Sequence, residues 1–363
     1  MKKVLFFSLV LLSLNSILMQ TILRDNNLIK NLIRVFVILL LSGAMIIKKR
    51  RFNKHIVFIT ILSIILFIVG KNSDQFTYIF IYCLIQGLFF IDEEEVIKYI
   101  FIASIIPFVL VFIFLFLGIT SNETIDFRNR MTYGLGVDRV PYFYNIVYGF
   151  LSTFFVYYMT KISKNKIMNL KFILICSAVG TYFFIKTDVR GGYIALMTLI
   201  VLSLLLPHLC KSKVVRGIIL LLPLMSYFWI FIMLYFRNDY KLNKLLSYRP
   251  MLIGKFFENI NISDILTTKS VKAFDNISIV DNTFMHILIG GGVILTLLIY
   301  LIYINAVKRI MKERKYIFLS FIIATYLYFN IESVGVRVEN MFIVLWWYLL
   351  FSYGIKNVER EEI

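Results

Sequence analysis

Residues 171–211 read KFILICSAVG TYFFIKTDVR GGYIALMTLI VLSLLLPHLC K, two apolar runs joined by Lys186-Thr187-Asp188-Val189-Arg190-Gly191-Gly192. A helix crossing the ~30 Å hydrocarbon core of a bilayer takes about 20 predominantly apolar residues. Only the 39 residues 172–210 separate Lys171 from Lys211, so two crossings consume the whole stretch. The turn is thereby drawn to the headgroup level or below it, carrying Lys186, Asp188 and Arg190. The same arithmetic holds for the 40 residues between Lys315 and Lys356, whose apolar runs flank Asn330-Ile331-Glu332-Ser333-Val334-Gly335-Val336-Arg337-Val338-Glu339-Asn340. A charge left alone in hydrocarbon costs at least ~2.5–3.5 kcal/mol. These side chains therefore either pair with one another or face a polar recess. Pairing of Asp188 with Arg190, and of Glu332 with Arg337, is the purely structural reading.

Similar apolar runs fill the chain. Of 363 residues, 60% are apolar and 17% charged, against about 25% charged in soluble domains. Spans are predicted at 4–23, 30–47, 55–70, 76–91, 96–119, 142–160, 172–186, 191–209, 217–236, 282–307, 316–331 and 339–354. Lys2-Lys3, Lys48-Lys49-Arg50-Arg51, Lys161 with Lys164 and Lys166, Lys211 with Lys213 and Arg216, Lys308-Arg309 with Lys312, Arg314 and Lys315, and Lys356 fall in every second loop or at the termini. The positive-inside rule puts those cations and both termini in the cytoplasm. The expected fold is an all-α polytopic membrane protein, a single domain over 1–363 with about twelve transmembrane helices. One large extracytoplasmic loop, 237–281, falls between helices nine and ten. It is rich in cations, but long loops translocate regardless of charge. Met1-Lys2-Lys3 and the apolar run behind it resemble a signal peptide. No small-x-small site follows, so the segment reads as a retained first span.

The net charge of +18 sits between apolar segments and forms no basic face, so nucleic acid is excluded and anionic membrane lipids are the expected partner. Cys83, Cys176 and Cys210 have no ligand-like spacing. Asp92-Glu93-Glu94-Glu95 has two readings, a metal site or a helix start whose carboxylates complement the dipole. The second is preferred. With no Asp-x-Asp motif, neither metal nor cofactor is expected.

The external segments carry the remaining polar residues. One holds Arg128, Arg130 and Arg139 and re-enters at Tyr142. In the long loop, Leu242, Leu245, Leu246, Leu252, Ile253, Phe256 and Phe257 follow helical spacing, as in an interfacial amphipathic segment. Pro250 interrupts it beside Arg249. Asp281-Asn282-Thr283 is a helix start with a capping side chain. His286 follows one turn later, as a packing residue or a functional one, and Gly290-Gly291-Gly292 invites close approach by another helix.

Taken together, these segments resemble the Wzy-type polysaccharide polymerases of the O-antigen ligase superfamily. The resemblance rests on the loop from Arg128 to Gly136, the turn Thr187-Asp188-Val189-Arg190-Gly191, the element Ser247-Tyr248-Arg249, and Asp281-Asn282 opening a glycine-containing span. Asn330-Ile331-Glu332-Ser333 is similar to a turn of capsule polymerases. Asp281 stands where the ligase branch commonly has His, and no well-formed Arg-ten-Gly motif occurs. The resemblance implies a glycosyltransferase of the bacterial plasma membrane. It would move glycan from undecaprenyl pyrophosphate onto another lipid-linked oligosaccharide repeat, with a chain-length regulator as a further partner. Arg190 and Arg249, supported by Arg128, Arg130, Arg139 and Arg337, would hold pyrophosphate or glycan. Asp281, then Glu332, then His286 are the candidate bases. A ligase of the same superfamily, or a flippase or secondary transporter for the same lipid-linked repeat, are the alternatives.

Overall fold

The computed structural model describes all residues except 24–25, 49–51, 73, 123, 127–130, 138–139, 164, 272–280 and 356–363. Helices α1 (Lys2–Gln20), α2 (Asn27–Ile47), α3 (Lys54–Gly70), α4 (Gln75–Leu88) and α5 (Glu93–Phe116) follow one another through short links. An antiparallel hairpin of β1 (Thr124–Asp126) and β2 (Met131–Tyr133) precedes α6 (Val140–Tyr157), which continues as a π-helical turn over Tyr158–Ile162. Next come α7 (Lys166–Thr187), α8 (Arg190–Leu209) and α9 (Lys213–Tyr235). Three short helices, α10 (Tyr240–Leu245), α11 (Arg249–Phe257) and α12 (Ile262–Thr267), occupy the long loop. Then follow α13 (Thr283–Lys312), α14 (Tyr316–Phe329) and α15 (Met341–Gly354).

The protein is an α-helical membrane protein. Among the described residues, seven helices (α1, α2, α5, α7, α8, α9 and α13) are long and apolar enough to cross a bilayer, and α3, α4, α14 and α15 are shorter apolar helices. Their outward faces carry large bare side chains such as Ile47, Phe116 and Phe228, a surface that water would penalise and lipid does not. Asparagine starts several helices. Asn26, Asn53, Asn165 and Asn282 each accept a first-turn N–H, satisfying donors that the helix itself leaves open.

Helix α15 forms the centre of the bundle. Every residue from Met341 to Tyr353 is buried, and the helix packs against α13, α6, α5 and α4. Helix α14 lies on α8 and α13. Both α14 and α15 have 14 residues, a rise of only ~21 Å. Their connecting turn is consequently recessed, with Val334, Val338, Glu339 and Asn340 all buried.

At the opposite end the acidic run forms a clasp. Glu95 meets Lys2 at 2.7 Å, Glu93 meets Lys315 at 3.0 Å, and Glu94 meets Lys161. The Tyr353 hydroxyl donates to Glu93. Carboxylates of the α5 first turn thus tie α1, the end of α6, the α13–α14 link and α15 together.

Three sequence expectations are revised. Gly290-Gly291-Gly292 does more than admit a neighbouring helix, because the chain leaves helical geometry at Gly292 (φ 76°, ψ 169°). The amphipathic stripe of the long loop is no free interfacial helix throughout. Ile253 and Phe256 are buried as α11 packs on α9, while Leu245 stays exposed. The break beside Pro250 falls one step earlier than expected. Ser247 and Tyr248 take positive φ, and Arg249 is the first residue of α11.

Candidate functional site

The α7–α8 link is only Asp188 and Val189, the shortness its hairpin length demands. Asp188 adopts a left-handed conformation to end α7, and its carboxylate lies 3.8 Å from Arg190 Nε. The structural pairing expected there is present, yet the Arg190 side chain remains half exposed. Gly191 and Gly192 then bring α8 against the other turn. A Cβ on Gly191 would sit 2.8 Å from Ile331 Cγ2, and one on Gly192 would sit 2.4 Å from the Tyr144 ring. Only glycine permits this approach, which brings the neighbour of Arg190 against Ile331, the neighbour of Glu332.

The second expected pairing is not the one formed. Glu332 Oε1 faces Arg249 Nη2 at 3.6 Å, whereas the Arg337 guanidinium lies over the Tyr142 ring, 5.0 Å from its centre. Arg249 arrives from the long loop, so the ion pair joins two segments far apart in sequence. Both side chains are largely buried, at 23% and 14% exposure. A separation of 3.6 Å is too long for a hydrogen bond. Arg249 Nε is also buried with no hydrogen-bond partner. The guanidinium thus keeps donor capacity to spare, in a setting where an unpaired buried donor is costly.

Two features hold Glu332 in place. Thr283 Oγ1 donates to the Glu332 carbonyl at 2.8 Å and accepts the Gly335 N–H at 3.0 Å. Asn282 caps α13 with its oxygen while its Nδ2 donates to the Asn330 carbonyl at 3.1 Å. Below the turn, the Tyr328 hydroxyl donates to Asn145. Burial pushes the Glu332 carboxyl up from its usual range to about 7, and the charge of Asp281 adds to the rise; Arg249 and Arg337 oppose it. Asp281, Glu332, Arg249 and Arg337 are therefore electrostatic neighbours.

The remaining candidates separate from this group. His286 lies in the first turn of α13, where its carbonyl accepts the Tyr78 hydroxyl at 3.1 Å. Lys186 sits over the Tyr133 ring of the β-hairpin, at 5.3 Å. Arg128, Arg130 and Arg139 lie outside the described residues. Glu339, which the hairpin arithmetic grouped with Glu332, has its own partner: Arg34 Nε donates to it at 2.7 Å, with both side chains buried. Sequence reasoning gave no role to Asn145 or Tyr328 and named Thr283 only as part of a helix start, because uncharged polar residues inside apolar runs carry no signal until their neighbours are known.

Among the described residues, no group of three or more His, Cys, Asp or Glu is arranged to hold a metal ion. The site therefore offers one carboxylate poised near neutrality, a second carboxylate beside it, and an under-satisfied donor on Arg249. No protein family, characterised protein or solved structure matches the chain.

Proposed function

We propose that the chain is a membrane glycosyltransferase that polymerises lipid-linked oligosaccharide repeats at the outer face of a bacterial plasma membrane. On this reading twelve helices cross the bilayer, the lysine clasp and both termini are cytoplasmic, and the recessed turn opens outward. The observation that carries it is Arg249, whose buried guanidinium stands beside Glu332 with donors left over. A diphosphate leaving group needs such a cation, because arginine stays charged and binds phosphate oxygens through paired N–H groups.

The chemistry follows from the groups present. Glu332, or Asp281 beside it, takes the proton from an acceptor hydroxyl. The freed oxygen attacks the anomeric carbon of the donor sugar. The bond from that carbon to the undecaprenyl pyrophosphate oxygen breaks, and Arg249 and Arg190 bind the charge that develops. A carboxyl titrating near 7 is matched to a general base at physiological pH, so this scheme takes Glu332 rather than Asp281 as the first choice of base. An open apolar groove of ≈ 550 Å³ between α5, α6 and α7, lined by Phe108, Phe150, Phe154 and Phe183, suits a prenyl tail on such a substrate. Neither metal nor cofactor enters the scheme, and a chain-length regulator fits as a partner.

A strain lacking the chain tests the reading on gels of its lipid-linked glycan. Single repeats accumulate if it is a polymerase, and the wild-type chain restores the ladder while Arg249→Ala and Glu332→Gln do not. Long, unattached polymer in the deletion strain would instead identify a ligase. A lipid-linked-repeat transporter is the second reading, favoured by the interrupted helix α13, since transporters build sites at broken helices. Repeats trapped on the cytoplasmic leaflet would support it.

A further inference from the structure

The interruption in α13 exposes backbone carbonyls that an intact helix would engage, and the start of α4 and the end of the long loop answer them. Asn72 Nδ2 and Gln75 Nε2 donate to the Gly290 carbonyl at 2.9 and 2.7 Å. The Lys269 N–H reaches the Ile289 carbonyl at 3.2 Å. Because Gly290 offers an acceptor, the Gln75 amide must present its nitrogen there, and this fixes where Oε1 points.

Around the break lies a surplus of oxygen. Gln75 Oε1, Thr268 Oγ1 and Ser270 Oγ are buried and have no hydrogen-bond partner. Gln75 and Thr268 are 0% and 3% exposed. Asp74 belongs to the same cluster: its Oδ2 accepts the Val271 N–H at 2.8 Å and lies 3.6 Å from where a Cβ on Gly290 would stand. Thr268 Cγ2 lies 2.7 Å from the corresponding point on Gly292. Among the described residues, no Lys or Arg forms an ion pair with Asp74. A carboxylate and an acceptor-only amide oxygen beside a broken membrane helix call for a donor or a cation.

We propose that the α13 break is a site for a small monovalent cation, with Asp74, Gln75, Thr268 and Ser270 supplying side-chain oxygens. The charge decides the valence. One carboxylate among neutral oxygens balances a single positive charge, while calcium sites draw on six to eight oxygens with several carboxylates. The bound ion neutralises Asp74 and pins the end of the long loop against α4 and α13. The site stands apart from the polymerase reading, which rests on Arg249 and Glu332.

Sodium is the probe. Radioactive Na⁺ is equilibrated with the purified full chain in detergent and competed with unlabelled Na⁺, choline and Ca²⁺. Saturable binding of one ion per chain is expected, displaced by Na⁺ and not by choline or Ca²⁺. Asp74→Asn is expected to weaken it by at least about ten-fold. Should that variant fail to fold, Thr268→Val keeps the charge and is expected to weaken binding with an unchanged gel-filtration profile. Glu332→Gln retains full Na⁺ binding, which separates a failure here from a failure of the enzymatic reading. Non-saturable binding, equal binding in the wild type and both variants, or displacement by Ca²⁺ would overturn the proposal.

Discussion

Glu332 is the residue on which charge, burial and the long loop converge, and its titration gives the sharpest residue-level expectation. Its carboxyl is raised from 4.5 to about 7 by burial and by Asp281. A base must be ionised, so polymerising activity should rise with pH through a midpoint near 7. Asp281→Asn removes a negative neighbour and should move that midpoint down, whereas Arg249→Lys should leave a midpoint but lower the rate. A pH–rate profile on both variants checks this; a midpoint indifferent to Asp281→Asn would detach Glu332 from the chemistry. The sign for stability is opposite. A carboxyl whose folded pKa is raised contributes stability below about pH 4.5 that is lost as pH rises through 7. Hairpin length and charge singled out Glu332 and Arg337 from the sequence, while Arg249 and Asp281 entered through the family resemblance. The pairing did not follow, because the partner of a turn residue comes from a loop more than eighty positions away, and only packing chooses between Arg249 and Arg337.

At the scale of elements, the recessed turn is held by two devices that differ in how they fail. Gly192 lets α8 approach α6 and α14 so closely that a Cβ would stand 2.4 Å from the Tyr144 ring and 3.2 Å from the Tyr328 hydroxyl. Gly192→Val should cost ~1–3 kcal/mol of overpacking and abolish activity by parting Arg190 from the turn, which thermal unfolding and the glycan ladder would register together. Arg34 and Glu339 form the second device, backed by a hydrogen bond from Arg34 to Thr77 and from Ser16 to Asn340. Burial opposes the charge on Glu339, but Arg34 and Lys30 outweigh it and hold the carboxyl at about 2. A depressed carboxylate contributes stability above about pH 4.5 that is lost as pH falls toward 2. Arg34→Ala leaves that charge buried and should cost ~3–5 kcal/mol. Arg34→Met with Glu339→Gln should recover most of the loss and lose the acid transition, as thermal unfolding against pH would record. The glycine pairs were visible in the sequence. That α13 breaks at Gly292 was not, because a run of three glycines fits a close helix crossing equally well until Asn72 and Gln75 are seen to hold the freed carbonyls.

For the whole molecule, the periodic return of apolar runs and lysine clusters predicted where the helices lie: each of the twelve predicted spans overlaps a helix, and seven of those helices are long and apolar enough to cross a bilayer. What it could not give was depth. At 14 residues, α14 and α15 are shorter than the helices α8 and α13 that α14 packs against, because the turn between them sinks into the bundle, and a hydropathy run records length without level. Sidedness is open to a direct check: single cysteines at Lys241 and Asn259 should react with an impermeant maleimide on intact cells, while ones at Lys211 and Lys308 should react only after lysis. The function itself is decided by reconstitution. Purified chain in proteoliposomes, given a synthetic undecaprenyl-pyrophosphate-linked repeat as sole substrate, should build a ladder of longer lipid-linked glycans and release undecaprenyl pyrophosphate, with Arg249→Ala and Glu332→Gln inert though folded. A ladder that forms equally with those two variants, or none with the wild type, would contradict the claim that the Arg249–Glu332 pair joining the long loop to the recessed turn performs glycosyl transfer.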